Sequence, residues 1–506
     1  MSSPGVLITG SYQDPQEECN EQTSLLSGSQ ASSPTLNESQ TLSPSNMPLE
    51  NPLPWRAVSI ILILNGLQPL AFELVFPFIN QMILETGIVT DPERVGFYSG
   101  TIESLFAVMS FIFVLPCSSI SDRYGRKPVV LISIFVLAIS TALFGFSKSF
   151  WFMIMTRAIG GIASASWSTM KVMLGEITDK TNQGRAIAAF GIAFKLGQIL
   201  GQPVGGLMSH PERYSNMFNN RFWNTYPYAL PCLFSGSIAF LGATAGIFLL
   251  QETKPNRKRE SDTVSEYGST YSEEQISAKS KSSNSWLSIL TPEVSSLMFS
   301  TFAMTLVSET LFALYPLFAF TPVEYGGLGL DEGGIGAHMA ARSIFCIFLI
   351  AAFAPMQRHI GTLKTYELSM QAWPLCCLFF PLLNLLKRWE VSALVMNSAL
   401  AVFFTIWGFA HNAWSASTLM INDAAPSAES LAAINGLAQM VIVLPEAISP
   451  AFVNSLFAWT ISNDVLQGYL TYVVLFGLCF MAAVHSTTLK EVTHDWRENS
   501  KYQDSR

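Results

Sequence analysis

Charge is what this chain most lacks. Only 13% of its 506 residues are Asp, Glu, Lys or Arg, against about 25% in an ordinary soluble domain. Residues 1–54 hold no lysine or arginine and no apolar core of signal-peptide length. A cleavable secretory signal is therefore not expected, and the first apolar span must direct insertion itself. Paired Cys-x-x-Cys spacings are missing. The seven cysteines are Cys19, Cys117, Cys232, Cys346, Cys376, Cys377 and Cys479, six of them in apolar segments, where they read as small hydrophobes. No metal site and no cofactor are expected. No glycine-rich phosphate loop, nucleophile elbow or ATPase domain stands out, which argues against an enzyme. No basic stripe runs outside short loops, so a net charge of −8 carries no expectation of nucleic-acid binding.

What is present is grease in regular portions. Length alone would divide the chain into roughly three soluble domains. Instead, apolar runs of about 20 residues recur, and runs of that length read as bilayer spans. They fall at about 55–79, 95–120, 128–147, 150–174, 185–208 and 226–250, then at about 295–320, 333–355, 364–386, 391–415, 430–457 and 466–489. The expectation is an all-α integral membrane protein of twelve transmembrane helices in two six-helix bundles. The domains are a disordered tail (1–54), a first bundle (55–250), a polar linker (251–294), a second bundle (295–489) and a polar tail (490–506).

Positive residues favour the cytoplasmic side of short loops. Of the 28 lysines and arginines, six fall on the external side if the N-terminus is cytoplasmic, four lie in spans, and the other eighteen are cytoplasmic. Both termini and the linker are thus expected inside. The loop after the second span carries Gly125-Arg126-Lys127, and the loop after the eighth carries Arg358-His359-Ile360-Gly361-Thr362-Leu363-Lys364. Both are short, basic and glycine-centred, an echo of two related halves.

The first of these loops, SDRYGRKP at 121–128, resembles motif A of the major facilitator superfamily, G-x-L-x-D-R-x-G-R-K/R. Asp122, Arg123, Gly125, Arg126 and Lys127 match, and Ser118 replaces the leading glycine. Arg157 and Gly161 in TRAIGGIASA resemble motif B of the fourth helix. Gly197, Gly201, Gly205 and Gly206 in GQILGQPVGG resemble motif C of the fifth, with Gln202 interposed so that Pro203 is displaced by one. LQET at 250–253, INDAAPSAESLAAINGLAQ at 421–439 and NPLPWR at 51–56 look like the fungal twelve-helix drug:proton antiporter branch. Relatives often carry Glu-Pro early in the first helix, where this chain has Gln68-Pro69 and then Glu73.

The resemblance implies a conformational latch at motif A. Gly125 permits the tight turn, and Asp122 faces the N-terminus of the eleventh helix, where the helix dipole favours an acid. Arg126 pairs with Glu176 or Asp179. Such a cluster would hold the cytoplasmic ends shut. The bland alternative is a loop that only sets topology.

Seven charged residues sit inside apolar runs: Glu73, Glu103, Arg157, Lys195, Glu309, Arg342 and Glu446. Each costs about 2.5–3.5 kcal/mol near a helix centre, so they are expected to line a cavity and pair. Structural alternatives stand beside this: an ion pair at Arg157, a pairing of Lys195 with Glu73 or Glu309, a solvated Glu103, a snorkelling Arg342, and a Glu446 that only borders the Pro445 kink. On the fourth span Arg157, Gly161, Ser164, Ser168 and Lys171 share a helical face; on the eleventh Asn435, Gln439, Glu446 and Ser449 do. Gly197, Gly201 and Gly205 form a small-residue stripe for close packing, with Pro203 and Gly206 beside it. Most of Phe72, Phe76, Phe312, Tyr315, Phe318, Trp407 and Trp414 are expected in packing, a few in a solute pocket. Pro69 and Pro77 flank Glu73 and mark the first helix as a gating candidate.

In the tail, Glu21, Leu25 and Leu26 fit an acidic dileucine sorting signal. These features lead to a secondary active transporter, a monomer in the bilayer. It is expected to exchange protons for a small organic molecule by protonation of Glu73, Glu309 or Glu446, in the plasma membrane or a vacuolar or other endomembrane. The alternatives are an importer or facilitator of a nutrient or organellar metabolite, and a transport-dead sensor.

Overall fold

A computed structural model describes residues 52–178, 182–253, 291–424 and 431–490. The tail signal at Glu21, Leu25 and Leu26, Asp179 and most of the linker lie outside the described residues. Ten helices are long and apolar enough to cross a membrane: Trp55–Val75, Pro92–Tyr124, Arg126–Phe144, Arg185–Leu207, Ala229–Leu249, Pro292–Phe320, Glu332–Ile360, Thr362–Arg388, Ala393–Asp423 and Ile434–Ser462. A fourth span in two pieces, Phe150–Ser164 and Trp167–Ile177, and a shorter last one, Leu470–Ser486, bring the total among the described residues to twelve. They are numbered below in chain order. Odd spans run from the face carrying Trp55, here the proximal face, to the opposite or distal face.

Several spans are bent or broken along their length. Pro69 removes a donor from the first helix; the α-helix ends at Phe72, a 3₁₀ turn takes Glu73–Val75, and a short helix Ile79–Glu85 follows. The span expected at 55–79 is thus bent at Glu73, between Pro69 and Pro77. The fourth span breaks between Ser164 and Trp167. The second and third are joined by Gly125 alone, at φ +114, whose N–H donates to Ser121 O. Gly361 does the same between the eighth and ninth at φ +87, donating to Gln357 O. Only glycine adopts such angles without strain.

Lipid offers helices no hydrophobic reason to associate, so close backbone approach must supply the attraction. The fifth span lays its glycines on the first. A Cβ on Gly197 would sit 2.1 Å from Gly66 O, and one on Gly205 1.8 Å from Leu74 O. The first span also packs on the sixth, and the third on the fourth and sixth. Among the later spans the seventh packs on the eleventh, and the ninth on the tenth and twelfth. The aromatic rings of Tyr315, Phe318, Phe380, Phe403 and Trp407 fill the space there, each fully buried.

The main junctions between the early spans and the late ones are the second with the eleventh and the fifth with the eighth. Outward faces stay greasy, with Ile112, Leu115, Ile132, Leu196, Phe248 and Phe348 exposed. Continuous apolar exposure of that kind fits a bilayer, not water.

Candidate functional site

The bend at Glu73 delivers a carboxylate into the protein interior, 1% exposed. Lys195, Gln198 and Gln202 follow one another on the fifth span at steps of 3 and 4, hence on one face. The adjacent glycine stripe presses that helix onto the first span, which brings this face to Glu73. Gln202 Nε2 donates to Glu73 Oε2 at 2.8 Å, and Gln198 Nε2 donates to Glu73 Oε1. Lys195 Nζ donates to Gln198 Oε1 at 2.8 Å. On the other side, Ser343 Oγ of the eighth span donates to Gln202 Oε1 at 3.3 Å, and Arg342 Nη2 donates to Ser343 Oγ at 3.4 Å. The Arg342 guanidinium lies over Phe312 at 4.7 Å and Trp407 at 5.2 Å. Arg342 is 4% exposed, so it does not snorkel. Glu309, half-buried, is in electrostatic reach of Lys195, Glu73 and Arg342, and Glu446 in reach of Glu309 and Lys171. A chain of charge and amide groups therefore crosses from the first span to the eighth.

A second cluster lies beside it. Arg157 Nη2 donates to Phe72 O at 3.2 Å, and its guanidinium stacks over Phe106 and Phe144. Glu103 accepts from Asn454 Nδ2 of the eleventh span at 3.4 Å. Both groups are buried and within electrostatic reach of each other, which offsets part of the cost of burying each alone. Glu103 is thus an interior group, not a solvated one at the end of its span.

Other expected site residues separate. The supposed polar stripe of the fourth span is divided by the break after Ser164. Gly161 packs against the second span, where a Cβ would meet Phe106 O at 2.3 Å. Lys171 is exposed and lies 3.6 Å over the Trp167 ring. On the eleventh span Gln439 is half-buried. Asn435 donates to Asn422 at 2.8 Å, and Ser449 to Leu306 O at 3.4 Å. Gly201 faces Leu70 of the first span, and Gly206 and Pro203 face the eighth.

On the proximal face Arg126 binds Asp122 and, at 3.1 Å, Glu176. Glu252 accepts the backbone N–H groups of Arg126 at 2.8 Å and Lys127 at 3.1 Å, capping the third span where an anion meets the helix dipole. Lys127 Nζ donates to Ile247 O at 2.7 Å, and Arg123 lies over the Tyr124 ring. The Asp122 side chain is 62% exposed. The group is built from the second, third, fourth and sixth spans.

The distal face holds a cluster that the sequence analysis missed. Glu85 Oε2 lies 3.0 Å from His210 Nε2 and accepts from Tyr228 OH at 2.7 Å. His210 Nδ1 is 2.8 Å from Glu212 Oε1, and Arg213 lies 3.5 Å from Glu85 and 3.9 Å from Glu332. Burial works to raise the Glu85 carboxyl, but hydrogen bonds from His210, Gln81 and Tyr228 outweigh it and hold the group at about 2. Burial likewise works to lower His210, and Glu85 and Glu212 more than reverse it, so its pKa is raised. Gln198, Gln202, Ser343, Asn454 and Glu252 were also missed. The spacing of Lys195, Gln198 and Gln202 was a usable signal for the first two.

Twelve apolar spans, buried ions shared between the early and late spans, and interlocked helix pairs define a polytopic membrane transporter. The sequence matches the Major Facilitator Superfamily over residues 61–450, and the chain belongs to that family, whose members are transporters rather than enzymes. It is 30% identical over 491 residues to the major facilitator-type transporter psiT2 of Psilocybe cyanescens, covering 88% of this chain and 92% of that one. It is also 30% identical to the efflux pump azaK of Aspergillus niger, covering 84% and 86%. Among solved structures, a bacterial homologue of the human lysosomal transporter Spinster, in an inward-facing and occupied conformation, superposes with a TM-score of 0.63 at 12% identity. That match covers 86% of this chain and 97% of that one.

Proposed function

We propose that this transporter exports small organic molecules in exchange for protons by alternating access. The domain division drawn from the sequence becomes the moving parts: two six-span halves, 55–250 and 295–489, rocking about the interior network, with the 251–294 linker and both termini on the cytoplasmic side. The observation that carries the reading is Glu73. It is a buried carboxylate at a helix bend, held by two glutamines, with Lys195 linked to it through Gln198 and Arg342 across the interface from the other half. Separating the halves breaks the Ser343–Gln202 hydrogen bond and carries the Arg342 charge away from Glu73, and such a change of surroundings is what coupling a proton to solute movement requires. Glu309 and Glu446 extend the path, and Phe312 and Trp407 offer rings to an apolar or aromatic solute. The efflux pump among the relatives supports export. Motif A serves as the latch of the opposite state, and the protein works as a monomer in the plasma membrane or an endomembrane.

The test is reconstitution in liposomes with an imposed pH gradient and a panel of drug-like and secondary-metabolite solutes. Uptake or release should follow the gradient and collapse with an ionophore; flux indifferent to the gradient would sink proton exchange. Gln202, interposed in motif C and engaged with Glu73, favours one other reading, an importer or facilitator. A deletion strain separates the two: hypersensitivity with intracellular accumulation supports export, and failure to grow on one nutrient supports import.

A further inference from the structure

The proximal cluster belongs to the latch and the interior network to coupling, but neither role uses the distal cluster. Three side chains far apart in sequence converge there: Glu85 after the first span, His210 in the loop after the fifth, and Glu332 at the start of the eighth. One oxygen or nitrogen from each lies within 4.8 Å of the others. His210 Nε2 is 3.0 Å from Glu85 Oε2 and 3.6 Å from Glu332 Oε1.

The chemistry of this set asks for a cation. Nδ1 of His210 faces Glu212 at 2.8 Å, so its N–H is donated there and Nε2 turns a lone pair toward two carboxylates. A carboxylate behind the imidazole is the usual outer support of a metal-ligating histidine. Glu332 gives an independent sign. Its side chain is 8% exposed, and its Oε1, aimed at His210, has no hydrogen-bond partner. A buried anionic oxygen without a partner is costly. Three carboxylates, Glu85, Glu212 and Glu332, face one guanidinium, Arg213, which leaves two negative charges to balance. A divalent ion with a neutral imidazole balances them.

We propose that Glu85, His210 and Glu332 form a binding site for a divalent transition metal ion of the zinc type. One nitrogen and two carboxylate oxygens suit zinc, whose bonds of about 2.0–2.2 Å place tetrahedral ligands roughly 3.3–3.5 Å apart. The observed 3.0 and 3.6 Å bracket that separation. Without metal, a proton on Nε2 fills the gap, and metal binding releases it. The Tyr228 hydroxyl donates to Glu85 at 2.7 Å and lies 3.1 Å from His210 Nε2, beside the three ligands, and the fourth position falls to it or to water. Glu85 and His210 lie among the early spans and Glu332 among the late ones, so the ion ties the distal face together.

The experiment uses the full-length protein in detergent, stripped with a chelator and titrated with zinc sulfate against a fluorescent zinc indicator. Wild type should bind one equivalent, and X-ray absorption at the zinc edge should show imidazole nitrogen and oxygen without sulfur. His210→Ala and the milder Glu332→Gln should each weaken binding at least tenfold. His359→Ala, on the proximal face, should leave it unchanged. No stoichiometric binding by wild type, a sulfur-containing shell, or unchanged affinity in Glu332→Gln would overturn the proposal. The wild-type spectrum decides the matter even if a variant fails to fold.

Discussion

The distal and proximal ends of the same helix pairs are packed differently. At the distal end of the second span, a Cβ on Gly96 would lie 2.4 Å from Asn454 O, and one on Gly100 2.6 Å from Pro450 O. Between the fifth and eighth, a Cβ on Gly206 would lie 2.2 Å from Glu332 O. Gly436 lies on the face of the eleventh span that carries Asn454, five turns nearer the proximal end, and a Cβ there would meet nothing within 4 Å. Gly191, on the Lys195 face of the fifth span, is equally open. Charge follows the same division. Arg213 and His210 reach Glu332 across the distal interface, whereas Arg126 binds Asp122 and Glu176 inside its own set of spans. Among the described residues the arrangement is one sealed distally and loose proximally. If the proximal face is cytoplasmic, this is the inward-open end of the cycle.

The largest effect should come from the group between the two faces. Glu73→Gln keeps the shape and removes the titratable oxygen. Uphill transport in proteoliposomes should fall about 100-fold, roughly 2.7 kcal/mol, while solute counterflow at equal pH on both sides persists. Loss of counterflow as well would mean that Glu73 holds the solute or the fold rather than the proton.

Next comes the distal seal itself. Gly100→Leu forces a side chain against Pro450 O, and overpacking of that kind costs about 1–3 kcal/mol. The ratio of distally open to distally sealed molecules should rise about tenfold or more, read from the labelling rate of a cysteine placed at the distal end of the second span. Gly436→Leu enters open space and should change that rate less than twofold. Equal responses would erase the contrast between the ends. Arg213→Gln tests the polar part of the seal. Its side chain is 51% exposed, so solvent limits its worth to about 1 kcal/mol or less. Distal labelling should rise about two- to fivefold, and less in high salt.

Most of the fold was legible because bilayer spans announce themselves by composition: each apolar run corresponds to a span, whether one helix or two consecutive pieces. The turn at Gly125 and the glycine face of the fifth span were also legible, since both depend on local residue type and helical spacing. What escaped depends on long-range convergence. Gln202 stood out in the sequence only as an interruption of motif C, yet it is the amide that links Glu73 to Ser343. His210 and Glu332 have no pattern between them, because their meeting follows from which spans close at the distal face. The break after Ser164 has no proline to mark it.

The smallest expected effect has the most informative sign. Asp122 pairs with its neighbour Arg126 and is largely exposed, so in this arrangement the pair is worth about 0–1 kcal/mol. Asp122→Asn should leave thermal stability of the purified protein nearly unchanged. If motif A engages the eleventh helix when the proximal ends close, the same substitution weakens the other state. Distal labelling should then fall about two- to fivefold, the opposite direction to Gly100→Leu, and the double variant should lie between the singles. A rise in distal labelling would instead mean that Asp122 already supports the distally sealed arrangement, and the proximal charges would then set topology without latching anything.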